Sequence, residues 1–202
     1  MPPRTRMTPE TRRAQLLDVG EAVFGEGRFE ELSMEDIAAA AGVTRASLYH
    51  YFPTKADYFA AIWQRAHESL GATTQLDDCE TVRDWIVEML TGYLDFYSRH
   101  VQLVLIANRS SIASAPAVRE PIADNFRTLC RVALDTAGAR GRRRRLAEAA
   151  FAGWIAFVRE TTLATLVDGA MTPKDNLAMC VATLDATVGA HADLDRRIRG
   201  RA

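Results

Sequence analysis

Apolar residues recur along this chain at intervals of three and four, and no stretch alternates apolar with polar as a half-buried strand does. Leu16, Gly20, Val23 and Phe24 step at i, i+4, i+7 and i+8, with Leu17 alongside. That spacing predicts an amphipathic helix over roughly Thr8 to Glu26, ended by Gly25 and Gly27. "SMEDIAAAAG" starts a second helix: Ser33 caps it, Asp36 reaches back, Ile37, Ala38 and Ala41 form its apolar stripe, and Gly42 closes it. Thr44 is the N-cap of a short third helix to about Tyr51, which Pro53 ends because the residue before a proline leaves the α region. Thr54 then caps a fourth, with Tyr58, Phe59, Ile62 and Trp63 on its apolar face. A glycine closing the second helix and a tight turn into a short third one is the helix-turn-helix arrangement.

From about Leu70 to Glu80 the chain is polar and without period, which suits a domain boundary. Five more helices are expected beyond it, at roughly Thr81–Arg99, Leu103–Ile112, Ala117–Ala137, Arg143–Val167 and Pro173–His191. The expected fold is all-α with about nine helices. An N-terminal arm and three-helix helix-turn-helix domain occupy residues 1–55, a connecting helix 54–70, and a larger helical domain 71–202.

Composition adds little beyond exclusions. The 202 residues are 48% hydrophobic and 25% charged, as in an ordinary globular protein, and the longest apolar runs are far short of a membrane span. The first residues hold no apolar stretch for a signal peptide, and three scattered cysteines form neither a disulfide framework nor a metal cluster, so a reduced cytoplasm is expected. The four histidines lack metal spacing, and there is no nucleophile elbow or glycine-rich phosphate loop; an enzyme and a cofactor are therefore not expected. A net charge of −1 confines any anion-binding surface to a local patch.

The stretch "GVTRASLYHYFPTK", Gly42 to Lys55, is such a patch, with no acid between Val43 and Asp57. Leu48 and Phe52, four apart, are explained by packing on the first two helices. Arg45, Ser47, Tyr49, His50 and Tyr51 fall on the other faces, where they make poor core and good partners for phosphates and base edges. Lys55 stands in the first turn of the fourth helix, where the dipole disfavours a cation by up to about 1 kcal/mol and a bound phosphate would reverse the sign.

With "TRRAQLLDVGEAVFGEGRFEELSMEDIAAAAG" before it and "ADYFAAIW" after it, this stretch resembles the DNA-binding domain of the TetR family of bacterial transcriptional regulators, over roughly residues 8 to 63. The resemblance implies a recognition helix in the major groove, with Arg45 and Tyr49 at base edges and Ser47 at bases or phosphate. It implies that Thr44, His50, Tyr51 and Lys55 grip phosphates and that Ser33 adds a contact. Arg4 and Arg6 either reach the DNA or belong to a frayed terminus.

The rest of the chain resembles the family only in length and helix count. A single recognition module contacts few base pairs, and regulators pair two. Leu177, Val181, Leu184, Val188 and His191 lie on one stripe of the last helix, flanked by small residues, and form the candidate homodimer interface; the alternative is packing within their own domain. The family usually binds a small effector in this bundle. Candidates are Trp85, Met89, Tyr93 and Phe96 on the fifth helix, Asn108 on the sixth, Phe126 on the seventh, and Trp154 and Phe157 on the eighth, each equally explained as core. The "RGRRRR" run reads as a solvated loop rather than a second DNA site. The expectation is a ligand-responsive repressor that binds a palindromic DNA operator as a homodimer and is released by a small apolar effector. The alternative keeps DNA binding and replaces the effector with a protein partner.

Overall fold

The computed structural model describes residues 8–71 and 75–198. Among them are nine α-helices: α1 Pro9–Gly25, α2 Met34–Ala40, α3 Arg45–Tyr51, α4 Lys55–Gly71, α5 Val82–Arg99, α6 Val101–Arg109, α7 Pro116–Thr136, α8 Gly141–Leu166 and α9 Pro173–Leu184. The starts of α2, α3 and α4 follow the expected caps, and α1 has a cap of its own at Thr8. Thr8 accepts from the Thr11 amide, Ser33 and Asp36 form a reciprocal capping box, and Thr44 accepts from the Ser47 amide. Thr54 Oγ1 accepts from the Asp57 amide at 3.1 Å. Phe52, ahead of Pro53, is extended at φ −139° and ends α3. Gly42 takes φ +63°, the left-handed conformation that closes α2 at no steric cost.

The residues divide into two compact units. One runs to His67 and includes Gln102–Ile122; the other comprises Glu68–Val101 and the chain from Ala123 onward. The expected boundary at residue 71 thus lies close to the first division, but α6 and the start of α7 belong with the N-terminal unit. Helical period says which face of α6 is apolar and nothing about which core that face joins. A side chain settles it: Glu30 accepts from the Ser111 amide at 2.8 Å and the Ser111 hydroxyl at 2.9 Å, and these bonds hold its carboxyl below the usual range.

In the first unit Phe24, Phe29, Tyr58 and Phe59 interlock edge-on at centroid separations of 5.1 to 5.9 Å. Gly20 lets α4 close on α1, since a Cβ there would collide with Ile62 Cδ1 and the Tyr58 hydroxyl. The Tyr58 hydroxyl donates to the Leu16 carbonyl, and burial pushes its phenol up to about 12. Arg65 on α4 reaches Asp18 at 2.7 Å and Glu21 at 2.8 Å, tying the same two helices at the surface.

The second unit packs Val82, Trp85, Ile86 and Leu90 of α5 with Leu134 of α7, Phe151, Trp154 and Val158 of α8, and Cys180 and Leu184 of α9. α9 ends earlier than its apolar period suggests. From Asp185 to Gly189 the backbone widens into a π turn, at whose first residue Arg83 Nε donates to Asp185 at 2.9 Å. The C-terminal segment returns to α5: the carbonyls of Arg196 and Leu194 accept from the Val82 and Arg83 amides at 3.3 and 2.8 Å. With Thr81 accepting from the Asp84 amide, the free N–H groups of the first turn of α5 are satisfied.

Candidate nucleic-acid interface

α3 is a seven-residue helix held by a single buried side chain of its own, Leu48, and by Phe52 just beyond it. Phe52 stacks at 4.7 Å on Tyr58. That leaves Thr44, Arg45 and His50 exposed and Ser47, Tyr49 and Tyr51 half-buried, as the division of this stretch by face predicts. Arg45 lies over the Tyr49 ring, 5.2 Å from its centroid. Tyr51 stands edge-on to His50 at 5.4 Å and leans on Phe52, so its ring is braced while one edge stays in solvent. Thr44 Oγ1 accepts from the Ser47 amide at 3.1 Å, which keeps its own proton available for an acceptor such as a phosphate oxygen.

Two of the expected phosphate contacts are otherwise engaged. Ser33 Oγ donates to Asp36 Oδ2 at 2.6 Å and accepts from the Asp36 amide at 3.2 Å, so its one proton already serves the capping box. Lys55 is half-buried, its Nζ 4.0 Å from the Phe29 ring centroid and hydrogen-bonded to the Phe29 carbonyl. Burial lowers its pKa, against the pull of Glu30. The first-turn cation that looked like a phosphate ligand thus caps the loop between α1 and α2. Arg4 and Arg6 lie outside the described residues.

Two residues of the interface were not expected. Arg13 on α1 lies over the Phe52 ring at 5.4 Å, bringing a cation to the end of α3. Glu35 on α2 pairs with Arg45 Nη1 at 2.5 Å, so the acid missing from α3 is supplied by its neighbour. The signal for Arg13 was a cation early in a helix, the same oddity noticed at Lys55. Nothing in the linear spacing of Glu35 and Arg45 foretells their pairing.

In the second unit, Trp85, Met89, Tyr93, Trp154 and Phe157 lie in or against one core. Tyr93 meets the Phe126 ring at 6.1 Å and the Tyr97 ring at 3.9 Å, and burial raises both phenols well above their ordinary pKa. Tyr97 was not among the expected residues. Phe96 packs on Tyr97 at 5.9 Å and on His100 at 4.4 Å. Asn108 lies in the first unit, where Nδ2 donates to the Val104 carbonyl at 2.8 Å. Trp154 Nε1 donates to the Cys180 carbonyl at 2.8 Å, whereas the buried Trp85 Nε1 has no partner among the described residues.

The stripe expected to meet a second copy is only partly open to solvent. Leu184 and Val188 are 0% exposed inside their own unit, Leu177 and Val181 are half-buried against that core, and His191 is half-buried. Leu184 and Val188 are taken up by that core, whereas Leu177, Met179 and Val181 keep part of their surface in solvent. Outward face the small residues: Ala178, Ala182 and Ala186 from this stretch, and Ala149, Ala152, Gly153 and Ala156 of α8.

A short helix presenting arginine, tyrosine and histidine from a capped helix-turn-helix defines a DNA-binding class of fold. The comparisons agree. Residues 16–62 match the model of bacterial regulatory proteins of the tetR family. The transcriptional regulator AcrR of Shigella flexneri is 25% identical over 122 residues, 57% of each chain. The transcriptional repressor KstR2 of Mycolicibacterium smegmatis is 30% identical over 111 residues, 52% of this chain and 53% of its own. The crystal structure of a tetR-family transcriptional regulator from Streptomyces coelicolor aligns with a TM-score of 0.71 at 25% identity, covering 91% of this chain and 85% of that one. Residues 16–62 thus match the DNA-binding domain of the tetR family of bacterial regulatory proteins, and the chain shares the fold of a tetR-family regulator over most of its length. It spans about half the length of the curated relatives it matches.

Proposed function

We propose that this chain is a transcriptional repressor that binds a two-fold symmetric DNA operator as a homodimer and is released by a small, largely apolar effector. The observation that carries the reading is the outer face of α3. Arg45, exposed and stacked on Tyr49, has the planar donor set that suits guanine O6 and N7, while Thr44 and His50 at the helix ends suit flanking phosphates. Arg13 extends the phosphate-gripping part of this face from α1.

Pairing of two copies is supported by the exposed small residues Ala149, Ala152, Gly153 and Ala156 of α8 and Ala178 and Ala182 of α9, which permit close helix approach. Repression is the sense named for KstR2 of M. smegmatis. The effector reading draws on the second unit's interior. Leaving Trp85 Nε1 buried without a partner costs about 1–3 kcal/mol, a cost that a ligand carrying an acceptor would remove. Tyr93, Tyr97 and Phe126 offer an aromatic wall on the same helix face and its neighbour. By linkage, the effector weakens operator binding and the operator weakens effector binding by the same factor.

The test is enrichment of genomic duplex fragments by the purified protein. The reading requires that the fragments share an inverted repeat, bound by two copies. Fragments enriched without any common sequence would contradict it.

A further inference from the structure

Arg45 does not stand free on the recognition face. Glu35, at the second position of α2, holds Arg45 Nη1 at 2.5 Å, and the Tyr49 ring lies against the guanidinium at 5.2 Å. Both charged side chains are open to solvent, 63% exposed for Arg45 and 47% for Glu35. The neighbouring acids are committed elsewhere: Asp36 to Ser33 and Glu30 to Ser111. Arg45 is therefore held on one edge by a carboxylate and on one face by a ring, and its Nε–Nη2 edge has no protein partner among the described residues.

We propose that Glu35 is a specificity-determining residue of the DNA interface, a positioning carboxylate that fixes the Arg45 fork for a base and withholds it from phosphates. This rests on the DNA-binding reading above. The chemistry follows from geometry. A guanidinium carries five donors in a rigid plane, so the edge away from Glu35 still offers a two-pronged fork to guanine O6 and N7 with the ion pair intact. Unrelated DNA offers Arg45 only phosphates, and a phosphate taken on the same free edge sets the Glu35 carboxylate beside the polyanion, where its repulsion offsets the contact. Glu35 thus leaves matched binding nearly untouched and weakens mismatched binding. An exposed pair of this kind is worth up to about 1 kcal/mol, enough for a several-fold change in discrimination.

The experiment uses the full chain as wild type, Glu35→Gln, Glu35→Ala, Arg45→Ala and the Glu35→Gln/Arg45→Ala double variant. Each is incubated with a randomised duplex library, the bound fraction is sequenced, and affinity for one fixed scrambled duplex is titrated at several salt concentrations. Thermal melts check that every variant is folded; Glu35 is exposed and outside the Ser33–Asp36 capping box, so both of its substitutions should be. The expected result is that Glu35→Gln and Glu35→Ala bind the scrambled duplex about 3- to 10-fold more tightly, with the log–log salt slope steeper by about 0.9, one added phosphate contact. The same variants lose preference at those base positions that Arg45→Ala flattens, and the double variant shows no loss of preference beyond Arg45→Ala. An unchanged scrambled-duplex affinity and slope would overturn the proposal. So would a loss of preference at different positions, which would mean that Glu35 reads a base itself. Wild type enriching no sequence would overturn both this proposal and the DNA-binding reading, whereas a sequence-selective wild type with Glu35-independent discrimination would overturn this proposal alone.

Discussion

The two units spend their polar groups in opposite ways. In the first, arginine, histidine and threonine stand outside on a seven-residue helix, and the interior is an aromatic cluster whose one buried hydroxyl, that of Tyr58, is bonded to a backbone carbonyl. In the second, polarity is drawn inside: Asn176 and Thr162 are 1% exposed and bonded to each other at 3.4 Å, the phenols of Tyr93 and Tyr97 are buried, and the Trp85 N–H has no partner among the described residues. The outer surface of that unit includes a run of small residues on α8 and α9, Ala149, Ala152, Gly153, Ala156, Ala178 and Ala182. A rigid scaffold with its chemistry outside suits a partner read from the surface. An interior with polar groups loosely matched suits a ligand that enters it and a shape that responds.

The sharpest break of this contrast is in the aromatic cluster. Phe24→Ala should cost about 3–5 kcal/mol by chemical denaturation, since Phe24 touches three other rings and is fully buried. A loss below about 1 kcal/mol would mean that the scaffold of α3 is not the rigid body described. Next, Ala182→Arg on the exposed face of α9 should leave the melt almost unchanged while shifting light scattering from dimer to monomer and weakening operator binding at least about tenfold. A dimer that survives Ala182→Arg would place the interface elsewhere.

Tyr58 supplies a pH test. Its folded-state phenol is pushed up to about 12 from an ordinary value near 10, so the folded protein keeps a proton that the unfolded chain releases. The stabilisation is complete below about pH 10 and is lost as pH rises from there towards about 12. Tyr58→Phe should cost about 1 kcal/mol at neutral pH and flatten that alkaline decline in denaturation curves. An unaltered pH slope would deny the buried bond to Leu16. The smallest effect is assigned to Lys55→Ala, a loss of about 1 kcal/mol from its bond to the Phe29 carbonyl and its contact with the ring. The DNA salt slope should stay as in wild type; a slope lower by about 0.9 would show that Lys55 leaves Phe29 for a phosphate.

The same contrast explains what could be read from the chain beforehand. Most of the first unit's signals are local. Ser33 with Asp36, Thr44, Thr54, Gly42 and Pro53 each act within a few residues, and together they bound α2 and α3, start α4 and present Arg45 outward. What escaped there was pairing between elements: Glu35 with Arg45, Lys55 with Phe29, and the attachment of 102–122 through Ser111. The count of nine helices among the described residues was legible as well, but in the second unit the use of each face was not. Leu184 and Val188 form as good a dimer stripe as a core stripe until α5 and α8 are in place around them. Period along a helix ranks its faces by apolarity; it does not say whether the best face meets the chain's own core or another copy. The same holds for α6, since no local feature assigns it to the first unit.

The central claim is that the outer face of α3 reads DNA through Arg45. Its most direct measurement is a salt-dependent titration of wild type and Arg45→Ala against an enriched genomic fragment and a scrambled duplex of equal length. The account predicts that Arg45→Ala loses about 10- to 100-fold in affinity for the enriched fragment and little for the scrambled one, with its melt unchanged. Equal losses on both duplexes, or no loss on either, would contradict it.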